Sequence, residues 1–369
     1  MNMKYKAYLC SFLLTFPILG KASAEADSLR QVQISRLQEQ VNWVNPEAIR
    51  AYLDDTKSSL GDKAPVLYQK LEELETLLPQ VNRHLSEDTT RQTIAEAEKL
   101  LALKREIILA NPLLDVDKIL IARYRLGNKA RKAMGPSLGT SVANYNSLFS
   151  SRRKGYDAEI SQLSNLRGDI QSKTIYKPEA DVPISDIQLH WDANRLLFSS
   201  LNENRQWQIY EINTDGTGLH QKVVVDEPDL EFCDANYLPD GKVVATCNIG
   251  YNGVPCVHGD DVVANLVSYD PETKNIHRLT FDQDGNWAPI VIPNGRLMYT
   301  RWEYTDLTHY FSRIVMHMNP DGTENKALYG SGSYFPNSTF DMKPLSKYNS
   351  RFVGIISGHH GTARSGRLI

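Results

Sequence analysis

The chain has 369 residues, with 41 basic and 44 acidic side chains and a formal charge of −3. That length accommodates one large domain and one small one. A mildly acidic balance argues against a nucleic-acid binder held by charge.

The chain opens with a short basic stretch, Met1 to Lys6, followed by an apolar run from Ala7 to Leu19. The run is shorter than the ~20 apolar residues that span a bilayer. Small residues follow at Ala22-Ser23-Ala24. Residues 1–24 therefore read as a signal peptide cleaved near Ala24, with a buried N-terminal helix as the alternative. Cys10 sits inside the run without the small residue that precedes a lipidated cysteine, which argues against lipidation. Removing the leader takes away Lys4, Lys6 and Lys21, and the formal charge becomes −6. No other stretch is apolar enough to cross a membrane, so the mature chain is expected to be soluble, periplasmic or secreted.

Residues 25–110 read as helix. Leu29, Val32, Leu37, Val41 and Val44 recur at three-to-four spacing, as do Leu67, Leu71, Leu74, Leu77 and Leu78, then Ile94, Ala97, Leu100 and Leu101. Pro46, Gly61 to Pro65, Pro79 and Ser86-Glu87-Asp88 are expected to punctuate the helices. A small bundle or an arm of coiled-coil character fits the pattern. No chemistry is visible in it.

At Asn111-Pro112 the period changes. β-branched and aromatic runs now alternate with Gly, Asp, Asn and Pro turns, so the fold class is mainly β from 111 to 369. Residues 128–156 form a basic Ser/Gly-rich insertion, expected to be a solvated loop, with contact to an acidic partner as the alternative. A repeat follows. A turn and strand occur at Asp192 to Ser199, Pro239 to Thr246 and Pro293 to Thr300, and more faintly at Lys347 to Ser357. A second strand ends in an acidic-glycine turn at Asn213 to Thr217 and Asn319 to Thr323. The period is about 46 to 54 residues. Asp-Gly and Asn-Gly turns tolerate positive φ, and one small sheet cannot bury both its faces without stacked neighbours. The pattern predicts a β-propeller with about four blade units, the first interrupted between Ile119 to Arg123 and Glu159 to Leu163. The final Gly366 to Ile369 reads as the start of another strand, so a truncated sequence is the expectation there, with a small or open ring as the alternative.

Cys233, Cys247 and Cys256 remain after the leader. Cys247 and Cys256 bracket a Gly/Pro-rich loop that a disulfide could close in an oxidising compartment. Unpaired structural thiols, or a metal site with His258, are the alternatives.

Several strings resemble proteins related to the hydrazine synthase alpha subunit, in its middle domain. They are Asn111 to Leu120, Gly253-Val254-Pro255-Cys256, Leu279 to Asp284, Tyr299 to Asp306, His309 to Arg313, His317 to Thr323 and Ser357 to Gly361. The Asp-Gly turns alone resemble the broader TolB-like (PD40) periplasmic repeats. The resemblance covers residues 111–369 and implies the propeller scaffold. The namesake enzyme makes hydrazine with covalently attached haem, which needs Cys-x-x-Cys-His. This chain has no such motif: Cys256-Val257-His258 lacks the first cysteine. No cofactor is implied, although a metal is possible.

Candidate chemistry lies in three places. Glu303, Asp306 and His309 form a polar, aromatic-rich cluster that could reach a ligand, or its charges could pair while Trp302 and Tyr304 pack between blades. His359-His360, with His258, could ligate a metal. Asp282 to Asn286 and the acidic residues Asp229, Glu231 and Asp234 read as turns rather than calcium loops. The expected function is an exported, non-catalytic binding or scaffold module, with a protein partner or small ligand on the propeller face. The alternatives are a metal- or haem-dependent redox subunit, and a polysaccharide hydrolase or lyase using Glu303 and Asp306.

Overall fold

The computed structural model describes residues 28–87, 90–126, 149, 151, 153–254, 262–283, 285–302, 313–331, 338–345, 350–356 and 367–369. The chain divides into two units, one comprising residues up to Lys118 with Ser164–Gln171, the other Ile119–Leu163 with Ser172–Ile369.

The first unit is helical. α1 covers residues 28–42, followed by α2 (Pro46–Leu60), α3 (Ala64–Glu87) and α4 (Arg91–Leu109). Asn45 caps α2, its side chain accepting from the Ala48 amide at 3.1 Å, with Pro46 in the first turn where it forfeits no bond. Thr90 caps α4 in the same way through the Thr93 amide. The core is the apolar stripe of each helix: Val41, Leu53, Leu71, Leu74, Ala97, Leu100 and Ile107 are buried. Pro79 was expected to end a helix and does not, because α3 runs through it. The stripe stays in phase on both sides, with Leu74 and Leu78 before Pro79 and Val81 and Leu85 after it. Packing of that face outweighs one lost helical hydrogen bond. α3 and α4 are antiparallel, as the pairs Lys70–Glu106, Glu73–Lys99 and His84–Glu96 show. Among the described residues, no helix is long and apolar enough to cross a membrane.

The second unit is a five-blade β-propeller. Blade 1 is β1 (Lys118–Leu126), β2 (Tyr156–Ser164) and β3 (Gln171–Tyr176). Blade 2 is β4 (Ile184–Leu189), β5 (Arg195–Leu201), β6 (Trp207–Asn213) and β7 (His220–Gln221). Blade 3 is β8 (Phe232–Tyr237), β9 (Val243–Cys247), β10 (Asn265–Tyr269) and β11 (Ile276–Arg278). Blade 4 is β12 (Asn286–Val291), β13 (Leu297–Trp302), β14 (Arg313–Met318) and β15 (Lys326–Tyr329). Blade 5 is β16 (Thr339–Pro344), β17 (Phe352–Ile356) and β18 (Arg367–Leu368). Every blade is a meander of sequential antiparallel neighbours. The count of about four is thus corrected to five. Blade 1 is the interrupted unit, with residues 127–155 between β1 and β2, and the added blade is the fifth, whose turn-strand copy is faint in the sequence.

The middle strands are buried on both faces, and the side-chain alternation of a strand explains how. Val243, Ala245 and Cys247 of β9 pack against Leu197 and Ile209 of blade 2. The intervening Val244 packs with Leu297 and Tyr299 of blade 4. Ile160 and Ile175 meet Leu196 and Phe198 between blades 1 and 2, and Met298 and Val315 meet Met342 between blades 4 and 5. Turn glycines do what their positions required: Gly216 has φ 98° and Gly241 φ 88°.

Candidate functional site at the first strands

Successive first strands touch one another, β4 with β8, β8 with β12 and β12 with β16. They are therefore the inner strands of the blades. Each carries a β-bulge, between Ser185 and Gln188, Cys233 and Asn236, Trp287 and Ile290, and Phe340 and Lys343. The residue at the same place in each bulge has positive φ: Asp186 (52°), Asp234 (59°), Ala288 (55°) and Asp341 (48°). A bulge re-aims its side chain. Here it gives three of these four bulged strands, in blades 2, 3 and 5, a carboxylate at one register.

These carboxylates tie blades together. Asp186 Oδ2 accepts from the Asp234 amide of the next blade at 3.2 Å and from the Ser199 hydroxyl at 2.9 Å. Asp234 Oδ2 in turn accepts from the Ala288 amide of the blade after. Asp341, which is exposed, accepts no hydrogen bond among the described residues. Burial pushes the Asp186 carboxyl above the usual carboxylate range, against the hydrogen bonds of Ser199 and Ser185 that pull it down. Burial, then the Asp186 charge, pushes Asp234 up to about 8, with Lys343 opposing. Asp341 raises both groups. Two carboxylates this close in a poorly solvated setting share a preference for one proton.

A second cluster lies between blades 2 and 3. Glu211, buried on β6, accepts from the Tyr237 hydroxyl at 2.9 Å and pairs with Lys222 at 2.8 Å, with His220 Nε2 at 3.4 Å and Arg195 Nε at 3.6 Å. Burial drives its carboxyl up, but Lys222, Tyr237 and Arg195 together hold it below the usual range. The Tyr237 hydroxyl is pushed up by burial and by Glu211. His190 meets the Tyr237 ring edge-on at 4.6 Å. Every acceptor here is spent on a protein donor, so the cluster reads as an inter-blade lock.

The residues singled out in the sequence fall as follows. Glu303, Asp306, His309, Cys256, His258, His359 and His360 lie outside the described residues. So, therefore, does the pairing of Cys247 with Cys256. Cys247 itself is buried on β9, and burial would push its thiol form up to about 12, too high for a nucleophile. Trp302 is fully buried beneath the Arg313 guanidinium, 5.0 Å from its ring, and Arg301 pairs with Asp282 at 2.7 Å. Asp282 also accepts from the Asn286 amide group at 3.0 Å, as a turn residue would. Among the described residues, no group of three or more His, Cys, Asp and Glu is placed to hold a metal ion. The basic insertion was expected to be solvated. Its Arg153 instead makes a fork to Glu231 at 2.7 and 2.9 Å and donates to the Arg205 carbonyl. Glu231 also accepts from the Trp207 amide at 2.8 Å.

The row of bulge aspartates was not singled out as a set. Its signal was present: Asp186 and Asp234 each stand six residues before the turn aspartates Asp192 and Asp240.

No protein-family profile matches the chain, and no curated protein matches its sequence. Among solved structures, hydrazine synthase from Kuenenia stuttgartiensis superposes with a TM-score of 0.50 at 15% identity, over 66% of this chain and 36% of that one. TolB from Acinetobacter baumannii gives a TM-score of 0.40 at 12% identity, covering 76% of this chain and 58% of that one. A TolB-like protein from Agrobacterium tumefaciens gives 0.39 at 15% identity, covering 58% and 76%. The chain spans about a third of the hydrazine synthase chain it resembles. The class of protein is a β-propeller, and at these identities the likeness is one of fold alone.

Proposed function

We propose that the chain is an exported β-propeller binding module of the hydrazine synthase alpha-subunit kind, working without haem of its own. Its ligand or partner offers a cationic group to the carboxylates of the first strands. The observation that carries this reading is the row of bulge aspartates. Asp186 and Asp234 are occupied by amides of the neighbouring blades, whereas Asp341 is exposed and accepts nothing among the described residues. A rigid frame with one open acceptor beside two carboxylates favours a positively charged visitor. Export rests on the leader pattern of residues 1–24, and the missing Cys-x-x-Cys-His supports the absence of covalent haem.

Titration calorimetry with spermidine as the cationic probe tests the reading. Saturable binding that is lost in Asp341→Asn, with an unchanged thermal midpoint, supports it. No saturable binding, or binding that Asp341→Asn leaves intact, overturns it. A stoichiometric Soret band in protein purified from a host that attaches c-type haem would overturn the haem-free part. Export predicts a mature N-terminus at Glu25.

A further inference from the structure

The helical unit carries a groove of about 680 Å³ lined by residues of the short turn Gly61–Lys63, of α3 and the end of α4, and by Arg167. Val66, Leu67 and Leu109 supply apolar lining, and Val66 is 52% exposed. Four cations, Lys63, Lys70, Arg105 and Arg167, face two acids, Asp62 and Glu106.

Two of those cations are spent. Lys70 pairs with Glu106, and Arg167 pairs with Asp115 and donates to the Leu109 carbonyl at 3.1 Å. Arg105 uses only Nη2, donating to the carbonyls of Leu166 and Gly168 at 2.6 and 2.7 Å. Its Nε and Nη1 keep their donors, and Lys63 makes no ion pair among the described residues. An apolar trough flanked by spare cationic donors is complementary to an amphipathic anion.

Size decides what kind of anion. The volume falls within the ~300–1,000 Å³ of small-molecule sites. Eleven residues line the groove, against the roughly 20–30 a stable protein interface uses on each side. We propose that this groove binds a small acyl carboxylate, with the chain over Val66, Leu67 and Leu109 and the carboxylate between Lys63 and Arg105. The site belongs to the helical unit and is independent of the propeller reading.

The test is calorimetric titration of the full mature chain with dodecanoate below its micellar concentration, with dodecanol as the uncharged control. Single-site saturable binding is expected, with dodecanol about tenfold weaker. Lys63→Glu and Val66→Asp change exposed side chains, so both variants should fold, which far-ultraviolet circular dichroism verifies. Each is expected to weaken dodecanoate about five- to tenfold. Absence of saturable binding, equal binding of dodecanol, or binding that neither variant alters would overturn the proposal. So would an acidic amphipathic peptide that binds where dodecanoate does not.

Discussion

The two units stabilise themselves in different solvents. In the helical unit the buried groups are apolar apart from the uncharged Thr93 and Asn111, and carboxylates such as Glu73 and Glu106 sit at the surface beside lysines. In the propeller, carboxylates stand at the inner strands, and Asp186 and Asp234 bond the amides of adjacent blades. The first arrangement stabilises through dispersion and the hydrophobic effect, which pH barely touches. The second ties stability to protonation. One chain thus contains a unit whose described buried core has no titratable group and a unit whose inner strands carry coupled carboxylates, and that difference can be attacked from either side.

The largest effect should come from the helical core. Leu71 on α3 is fully buried among Leu67, Leu74 and Leu100. Leu71→Ala removes its contacts and leaves a cavity, at a cost of about 2–5 kcal/mol. Urea unfolding followed at 222 nm should show that loss equally at acidic and mildly basic pH. A loss that varied with pH would break the comparison.

The two units also differed in how far the sequence revealed them. The helical stripe was legible residue by residue, because a 3.6 period is a local property. What it concealed was that Pro79 would be overridden, since that outcome depends on the facing α4. The blades were legible through the Asp-Gly turns, whose positive φ restricts the residue type. Blade 1 was legible as an interrupted unit despite its insertion, whereas blade 5 was harder to count, since its turn-strand copy at Lys347 to Ser357 is faint. The bulge aspartates were least legible. A bulge is defined by two strands in register, and the meaning of Asp234 depends on an amide 54 positions later.

The next effect tests the propeller side. With its carboxyl up at about 8, Asp234 holds a proton in the folded state that the unfolded chain releases, near pH ~4. The folded state binds more protons in that window, so stability falls as pH rises from about 4 through about 8 and levels above it. Asp234→Asn keeps an acceptor for the Ala288 amide and removes the titration. Its thermal midpoint should vary less with pH than that of the parent, and exceed it near the upper end of the window. Asp234→Ala instead strands the Ala288 amide and should cost about 1–3 kcal/mol at pH ~5.5. Calorimetric scans of both variants across that range are the measurement. Equal pH slopes in Asp234→Asn and the parent would show that the first strands carry no protonation liability.

A smaller effect probes blade contact without charge. Gly216 has φ 98°, and a Cβ there would stand 2.9 Å from the Ile175 carbonyl oxygen of β3. Gly216→Ala combines left-handed strain with a backbone clash between blades 1 and 2, a cost of about 1–3 kcal/mol. Gly241, also with φ 88°, has nothing within 4 Å of its Cβ position, so Gly241→Ala should cost only the conformational part, about 1 kcal/mol. Chemical denaturation of the pair separates strain from collision, and equal losses would mean the blades yield to a methyl group.

The smallest effect closes the comparison with a carboxylate of the other kind. Glu73 pairs with Lys99 at 2.8 Å, but the two side chains are 45% and 61% exposed. Water screens that attraction and holding both chains costs entropy, so Lys99→Ala should change stability by about 0–1 kcal/mol, and by less in high salt. Glu73 and Asp234 carry the same functional group. One stands in water with a mobile cation, the other stands among protein atoms beside a second carboxylate. If removing Lys99 cost as much as stranding the Ala288 amide, solvent exposure would not be what separates the two units. If it costs almost nothing, the difference between them lies in where the carboxylate stands rather than in what it is.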